Sequence, residues 1–104
     1  MNEINVQELN RMLDNREDFI LLDVREHAEF EVARIDGATH IPMSMLIGRL
    51  EELDKKKRII AICHTGMRSM QVCMYLKNEG YDMTNLLGGI DAWSKEIDKN
   101  VKIY

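Results

Sequence analysis

Phe19-Ile20-Leu21-Leu22-Asp23-Val24 is apolar at every position except Asp23 and shows no alternation of apolar and polar residues. A strand with that pattern is covered on both faces, and such coverage is the habit of parallel sheets flanked by helices. Arg58 to Ile62 reads the same way and is expected to form the central strand. Around these two runs, strand-like and helix-like segments alternate along the chain, so the fold class is α/β with a central, mostly parallel sheet flanked by helices.

Flanking residues place the other elements. Ile4 opens a short strand, and Val6, Leu9 and Leu13 then recur at helical spacing, with Asn5 and Glu8 positioned as an N-cap and its capping-box partner. A short helix is expected over Glu26 to Val32, and a brief strand reaches Ile41. Pro42 then opens a helix with Leu46, Leu50 and Leu53 on one face. A further helix runs from about Ser69 to Glu79 and stops at Gly80. The last strand spans Met83 to Leu87 and the last helix Ile90 to Ile97, with Trp93 in the core. Met70 and Met74 are read as helix packing. Cys73, on the Val72 and Leu76 side of its helix, is read as a small buried hydrophobe.

The chemistry concentrates where the central strand ends, at Cys63-His64-Thr65-Gly66-Met67-Arg68-Ser69. A cysteine just ahead of a helix meets unpaired backbone N–H groups and the positive end of the helix dipole, both of which favour an ionised sulfur. Gly66 tolerates positive φ, so successive N–H groups can turn inward as an anion cradle, and Arg68 adds a permanent cation. Cys63 is thus the candidate nucleophile, with His64, Thr65, Gly66, Met67 and Arg68 as its substrate-binding loop and Ser69 as support. Thr65 and Met67 are placed to tune which substrate enters, and Met67 to form an apolar wall. His64 is read as a substrate-facing or surface residue, since a stabilised thiolate needs no base. Four residues separate Cys63 from Arg68, whereas tyrosine phosphatases and their relatives place five in that interval for a tetrahedral phosphate.

These residues resemble the active-site loop of single-domain rhodaneses, the sulfurtransferases. Leu22-Asp23-Val24-Arg25-Glu26 is similar to that family's first signature, and Ile35-Asp36-Gly37-Ala38-Thr39-His40-Ile41-Pro42 to its second. Gly80-Tyr81 through Leu87-Gly88-Gly89-Ile90-Asp91-Ala92-Trp93 is similar to its closing segment. The resemblance covers roughly residues 4 to 97. Ala33-Arg34-Ile35 departs from the Gly-His-Ile common in the family, and the change is expected to fall on a surface turn.

The resemblance implies a three-layer rhodanese-like domain and a supporting role for Asp23 and Arg25, which would brace the loop and its entrance. A surface ion pair is the plainer alternative for Arg25. It also implies the reaction: the Cys63 thiolate takes sulfane sulfur from a donor such as thiosulfate or a persulfide and holds it as a cysteine persulfide. Cyanide, a thiol or a protein acceptor then removes it, with no cofactor. Arg68 would hold the anionic donor. A partner-binding module without catalysis and a phosphatase or arsenate reductase are the alternatives, since a fold hosts several functions.

At 104 residues, with 45% hydrophobic and 31% charged residues, residues 1–104 are expected to form one rhodanese-like domain. A net charge of −4 argues against nucleic acid as a partner, and Lys55-Lys56-Lys57-Arg58 is read as a solvated turn. No apolar run approaches the ~20 residues needed to span a bilayer, so no membrane partner is expected. The start, Met1-Asn2-Glu3-Ile4-Asn5, lacks the features of a secretion signal, and the expected location is cytoplasmic. Two cysteines nine residues apart make neither a disulfide framework nor a zinc pattern, and His27 and His40 have no metal-spaced partner, so no metal is expected.

Overall fold

The computed structural model describes residues 2–104; Met1, the first residue of the run read against a secretion signal, lies outside them. Among the described residues the elements run β1 (Asn2–Ile4), α1 (Val6–Asp14), β2 (Ile20–Asp23), α2 (His27–Val32), β3 (Thr39–His40), two 3-10 segments (Met43–Met45 and Ile47–Glu52), β4 (Arg58–Ile62), α3 (Met67–Asn78), β5 (Asp82–Leu86) and α4 (Gly89–Glu96). The strands form one all-parallel sheet in the order β1-β5-β4-β2-β3, with β4 at its centre.

The apolar runs lack alternation because both faces of the sheet are buried. Along β4, Ile59 and Ala61, followed by Cys63, join a cluster with Leu22, Val72, Cys73, Leu76 and Met83 on the α3 side. Ile60 and Ile62 point the other way, into a cluster with Leu9, Met12, Leu21, Leu86, Ile90 and Trp93 under α1 and α4. Cys73 and Trp93 are buried as expected, at 0% and 6% exposure.

Three local expectations are corrected. Asn5 does cap α1, its Oδ1 accepting from the Glu8 N–H at 2.9 Å, but the Glu8 carboxylate binds Arg11 and closes no capping box. The reciprocal box occurs instead at α2, between Glu26 and Glu29. Residues 43 to 52 form two 3-10 segments broken at Arg49 (φ −129°, ψ 21°) where an α-helix is expected. Gly48 weakens helix there, and burying Leu46 and Leu53 against the sheet is satisfied by the tighter turns. Finally, Ala33 and Ile35 are buried in the core and only Arg34 between them is exposed; the surface turn follows at Asp36-Gly37, where the Ile35 carbonyl accepts the Ala38 N–H at 3.3 Å.

A candidate sulfur-anion site at the sheet edge

The carboxyl ends of β2, β4 and β5 bring Asp23, Cys63 and Gly88-Gly89 to the same edge of the sheet, where parallel α/β folds hold ligands. Cys63 leaves β4, and the chain turns through Gly66 at φ 109° to start α3 at Met67. Within that turn the Cys63 Sγ accepts the Gly66 N–H at 3.1 Å and faces the Ser69 hydroxyl at 3.3 Å.

The loop is held from outside by the start of α4. The Ile90 N–H donates to the Cys63 carbonyl at 2.9 Å and the Asp91 N–H to the His64 carbonyl at 3.0 Å. Because a trans peptide points its C=O and N–H in opposite directions, drawing these carbonyls toward α4 turns the next N–H groups to the loop interior. The inward-facing donors therefore depend on how closely α4 approaches. Gly89 permits that approach: its φ is +57°, and a Cβ there would lie 2.5 Å from both the Cys63 and the His64 carbonyl oxygens.

Asn85, near the end of β5, buttresses the loop from behind and is buried at 1% exposure. Its Nδ2 donates to the Gly66 carbonyl at 3.1 Å, and its Oδ1 accepts the Ser69 hydroxyl at 2.6 Å. The sequence reading missed it. Its partners lie 16 and 19 positions away in the chain, in a strand that also carries Asp82 and Thr84, so no local signal marks it.

Asp23 and Arg25 make no surface pair; the alternative of an exposed ion pair is overturned, since Arg25 is 0% and Asp23 1% exposed. Arg25 Nη2 and Nε grip the Asp23 carboxylate at 2.7 and 2.9 Å. The guanidinium also donates to the Ala33 carbonyl at 2.6 Å and to the Glu29 carbonyl at 3.2 Å, fixing α2 against the sheet edge. Burial alone would pull the Arg25 guanidinium down, but the Asp23 carboxylate and the Tyr104 hydroxyl hold it above its usual range.

From α2, Glu29 takes Arg68 in a bidentate pair at 2.7 and 2.8 Å. Arg68 thus lies in the field of Cys63 while its guanidinium donates sideways to a carboxylate. The Arg68 hydrogen bonds bring the Glu29 carboxyl down to about 2, against the opposing effect of burial and with help from Tyr104.

The C-terminal segment closes the same network. The Tyr104 hydroxyl accepts from Arg25 Nη1 and donates to Glu29 Oε2, each at 2.9 Å, and its ring stacks on His64 with centroids 4.2 Å apart. His64 Nε2 is buried there with no hydrogen-bond partner. Nothing in the sequence signals the Glu29 and Tyr104 contacts, which join residues 39 and 75 or more positions apart.

The charge balance at Cys63 is local. The sulfur is buried, and the Gly66 N–H, the Ser69 hydroxyl and the start of α3 are directed toward it. Cys73, with no donors of its own, is pushed up to about 12 by burial and then by the Cys63 charge.

Against the outer wall of the loop lies a cleft of about 310 Å³ lined by Thr65, Met67, Met70, Met74, Leu87 and Gly88 among others. Met70 and Met74 are therefore corrected from helix packing to cleft: they are 37% and 56% exposed, because α3 buries Ser69, Val72, Cys73 and Leu76 instead. Among the described residues no three His, Cys, Asp or Glu side chains gather closely enough to hold a metal, and no helix is long and apolar enough to cross a membrane.

Residues 5–96 match the family model of the rhodanese-like domain. YtwF of Bacillus subtilis is 40% identical over 94 residues, spanning 90% of this chain and 91% of its own. A protein of Allochromatium vinosum named sulfurtransferase is 38% identical over 96 residues, spanning 91% and 90%. The crystal structure of a rhodanese-like domain protein from Staphylococcus aureus superposes with a TM-score of 0.88 at 31% identity, covering 100% of this chain and 99% of that one. With the parallel sheet, the loop after β4 and these matches in agreement, the chain belongs to the rhodanese-like domain family.

Proposed function

We propose that the protein transfers sulfane sulfur through a persulfide on Cys63. The observation that carries this reading is the placement of Cys63 Sγ within reach of the Gly66 N–H and the Ser69 hydroxyl, in a loop whose carbonyls are bound by α4. Such a site stabilises negative charge on sulfur before and after the sulfur is extended. The sulfurtransferase relative of Allochromatium vinosum supports sulfur transfer in general.

The chain's residues divide the work as follows. The Cys63 thiolate attacks the outer sulfur of an anionic donor such as thiosulfate; the donor's S–S bond breaks and sulfite leaves with the electron pair. The terminal sulfur of the Cys63 persulfide then carries the charge, within reach of the inward N–H groups. An acceptor nucleophile, a thiol or a protein persulfide-carrier, attacks that sulfur and returns Cys63 to the thiolate. Arg68 draws the anionic donor, for which it must exchange Glu29. Ser69 holds the loop, and the bound Asp23 and Arg25 hold α2 and Tyr104 beside it.

Four residues between Cys63 and Arg68 leave a smaller cradle than the phosphatase loop. The test follows thiocyanate formation from thiosulfate and cyanide alongside phosphoester hydrolysis, in the wild type and Cys63→Ser. Thiocyanate lost with Cys63 and absent phosphatase activity are expected. Phosphoester turnover without thiocyanate contradicts the proposal.

A further inference from the structure

Ser69 has a single hydroxyl hydrogen and two acceptors within reach, Asn85 Oδ1 at 2.6 Å and Cys63 Sγ at 3.3 Å. A thiol sulfur is a weak acceptor, so with Cys63 protonated the hydrogen belongs to Asn85, and the S–H can point at the Ser69 oxygen. A thiolate is a charge-assisted acceptor and draws the hydrogen to itself. The buried Asn85 oxygen then loses its partner, which penalises the ionised state. Asn85 is held in this competing position, because its Nδ2 is tied to the Gly66 carbonyl and it cannot rotate without breaking that bond.

We propose that Asn85 is a positioning residue that divides the Ser69 hydrogen between its own carbonyl oxygen and the Cys63 sulfur, and so sets how readily that sulfur ionises. The Ser69 hydrogen rotates between acceptors and is never transferred; the proton lost from Cys63 goes to solvent. The site thereby keeps a donor in reserve that is spent on the sulfur only when it is anionic, as thiolate or as persulfide. The inference rests on Cys63 being the sulfur-bearing residue of the proposed function, but its test does not use sulfur transfer.

Other charged or titratable groups around the sulfur stay in place when Ser69 or Asn85 is changed. On α3 these are Arg68, paired with Glu29, and Cys73. His64 adjoins Cys63 in the chain, β2 ends in the mutually bound Asp23 and Arg25, and Asp91 at the start of α4 pairs with Lys95.

The experiment is a pH titration of ultraviolet thiolate absorbance, with Cys63→Ser as the blank. Removing the donor in Ser69→Ala is expected to move the midpoint up, leaving about tenfold less thiolate at a pH below it. Removing the competitor in Asn85→Leu is expected to move it down, and the double variant to match Ser69→Ala alone. A residue that only holds the loop together gives the opposite sign, because loosening Gly66 weakens its N–H bond to the sulfur. An upward or absent shift in Asn85→Leu, or an additive double variant, overturns the proposal. If Asn85→Leu does not fold, Asn85→Ala carries the same expectation, since the Gly66 carbonyl keeps its bond from the Met70 N–H at 3.2 Å. Failure to load sulfur with these shifts intact would count against the sulfur-transfer reading and leave the Asn85 assignment standing.

Discussion

Replacing Gly89 with alanine should damage the loop from a helix that contributes no side chain to the sulfur. A Cβ at Gly89 meets the Cys63 and His64 carbonyl oxygens at 2.5 Å. Restoring ordinary contact near 3.5 Å requires α4 or the loop to give by about 1 Å. The left-handed φ of +57° adds about 1–2 kcal/mol for any residue with a Cβ. Displacement also strains the Ile90 and Asp91 hydrogen bonds to the loop, each contributing about 1 kcal/mol. The total, about 3–4 kcal/mol, leaves a domain of ordinary stability folded, whereas a shift of about 1 Å in a positioned reacting group can lower the rate roughly 100-fold. Gly37→Ala is the control, because Gly37 has a φ of +87° but open space where the Cβ would go. Urea unfolding should show a loss of about 1–2 kcal/mol for Gly37→Ala and about twice that for Gly89→Ala, with sulfur loading impaired only in the latter. Equal stabilities, or full loading in folded Gly89→Ala, would refute the claim that close approach by α4 shapes the loop.

The Glu29 and Arg68 pair should mark the acid limb of stability. The folded carboxyl is lowered to about 2, so its contribution is complete above the unfolded value of 4.5 and is lost as pH falls through about 2. Urea midpoints for the wild type and Glu29→Gln should differ by a constant amount above about pH 5, worth about 1 kcal/mol for a partly exposed pair, and converge in acid. Arg68→Ala should raise the concentration of thiosulfate needed for half-maximal rate more than it lowers the urea midpoint; unchanged kinetics in a folded protein would remove Arg68 from the site. Cys73→Ser should retain sulfur transfer while losing about 1–3 kcal/mol of stability, because it buries a hydroxyl among Val72, Leu76 and Met83. Lost transfer in a stable Cys73→Ser protein would assign Cys73 a chemical role.

The sheet was legible because its signal is periodic. The apolar runs at residues 19–24, interrupted only by Asp23, and at residues 59–62 demanded cover on both faces, and Ile59 to Ile62 do divide between two cores. Cys63, Gly66 and Ser69 were legible because the chemistry of the loop depends on neighbours in the chain. Residues 43–52 were misread since leucine spacing registers which side is buried and not how tightly the backbone winds. Met70 and Met74 were misread for a related reason: they border the buried face of α3, and whether that border meets a neighbour is a tertiary fact. Glu29, Asn85 and Tyr104 act through partners far away in sequence, so a single chain gives them no local mark. Arg25 stands between the two cases. Its position beside Asp23 was legible, but its complete burial depends on α2 and Tyr104 folding over it.

Intact-protein mass spectrometry after incubation with thiosulfate, then cyanide, tests the persulfide on Cys63 most directly. One added sulfur atom on the wild type and on Cys73→Ser, none on Cys63→Ser, and its release by cyanide as thiocyanate are the expected results. Sulfur retained on Cys63→Ser, or a wild type that loads none from thiosulfate or from a low-molecular-weight persulfide, would contradict the account.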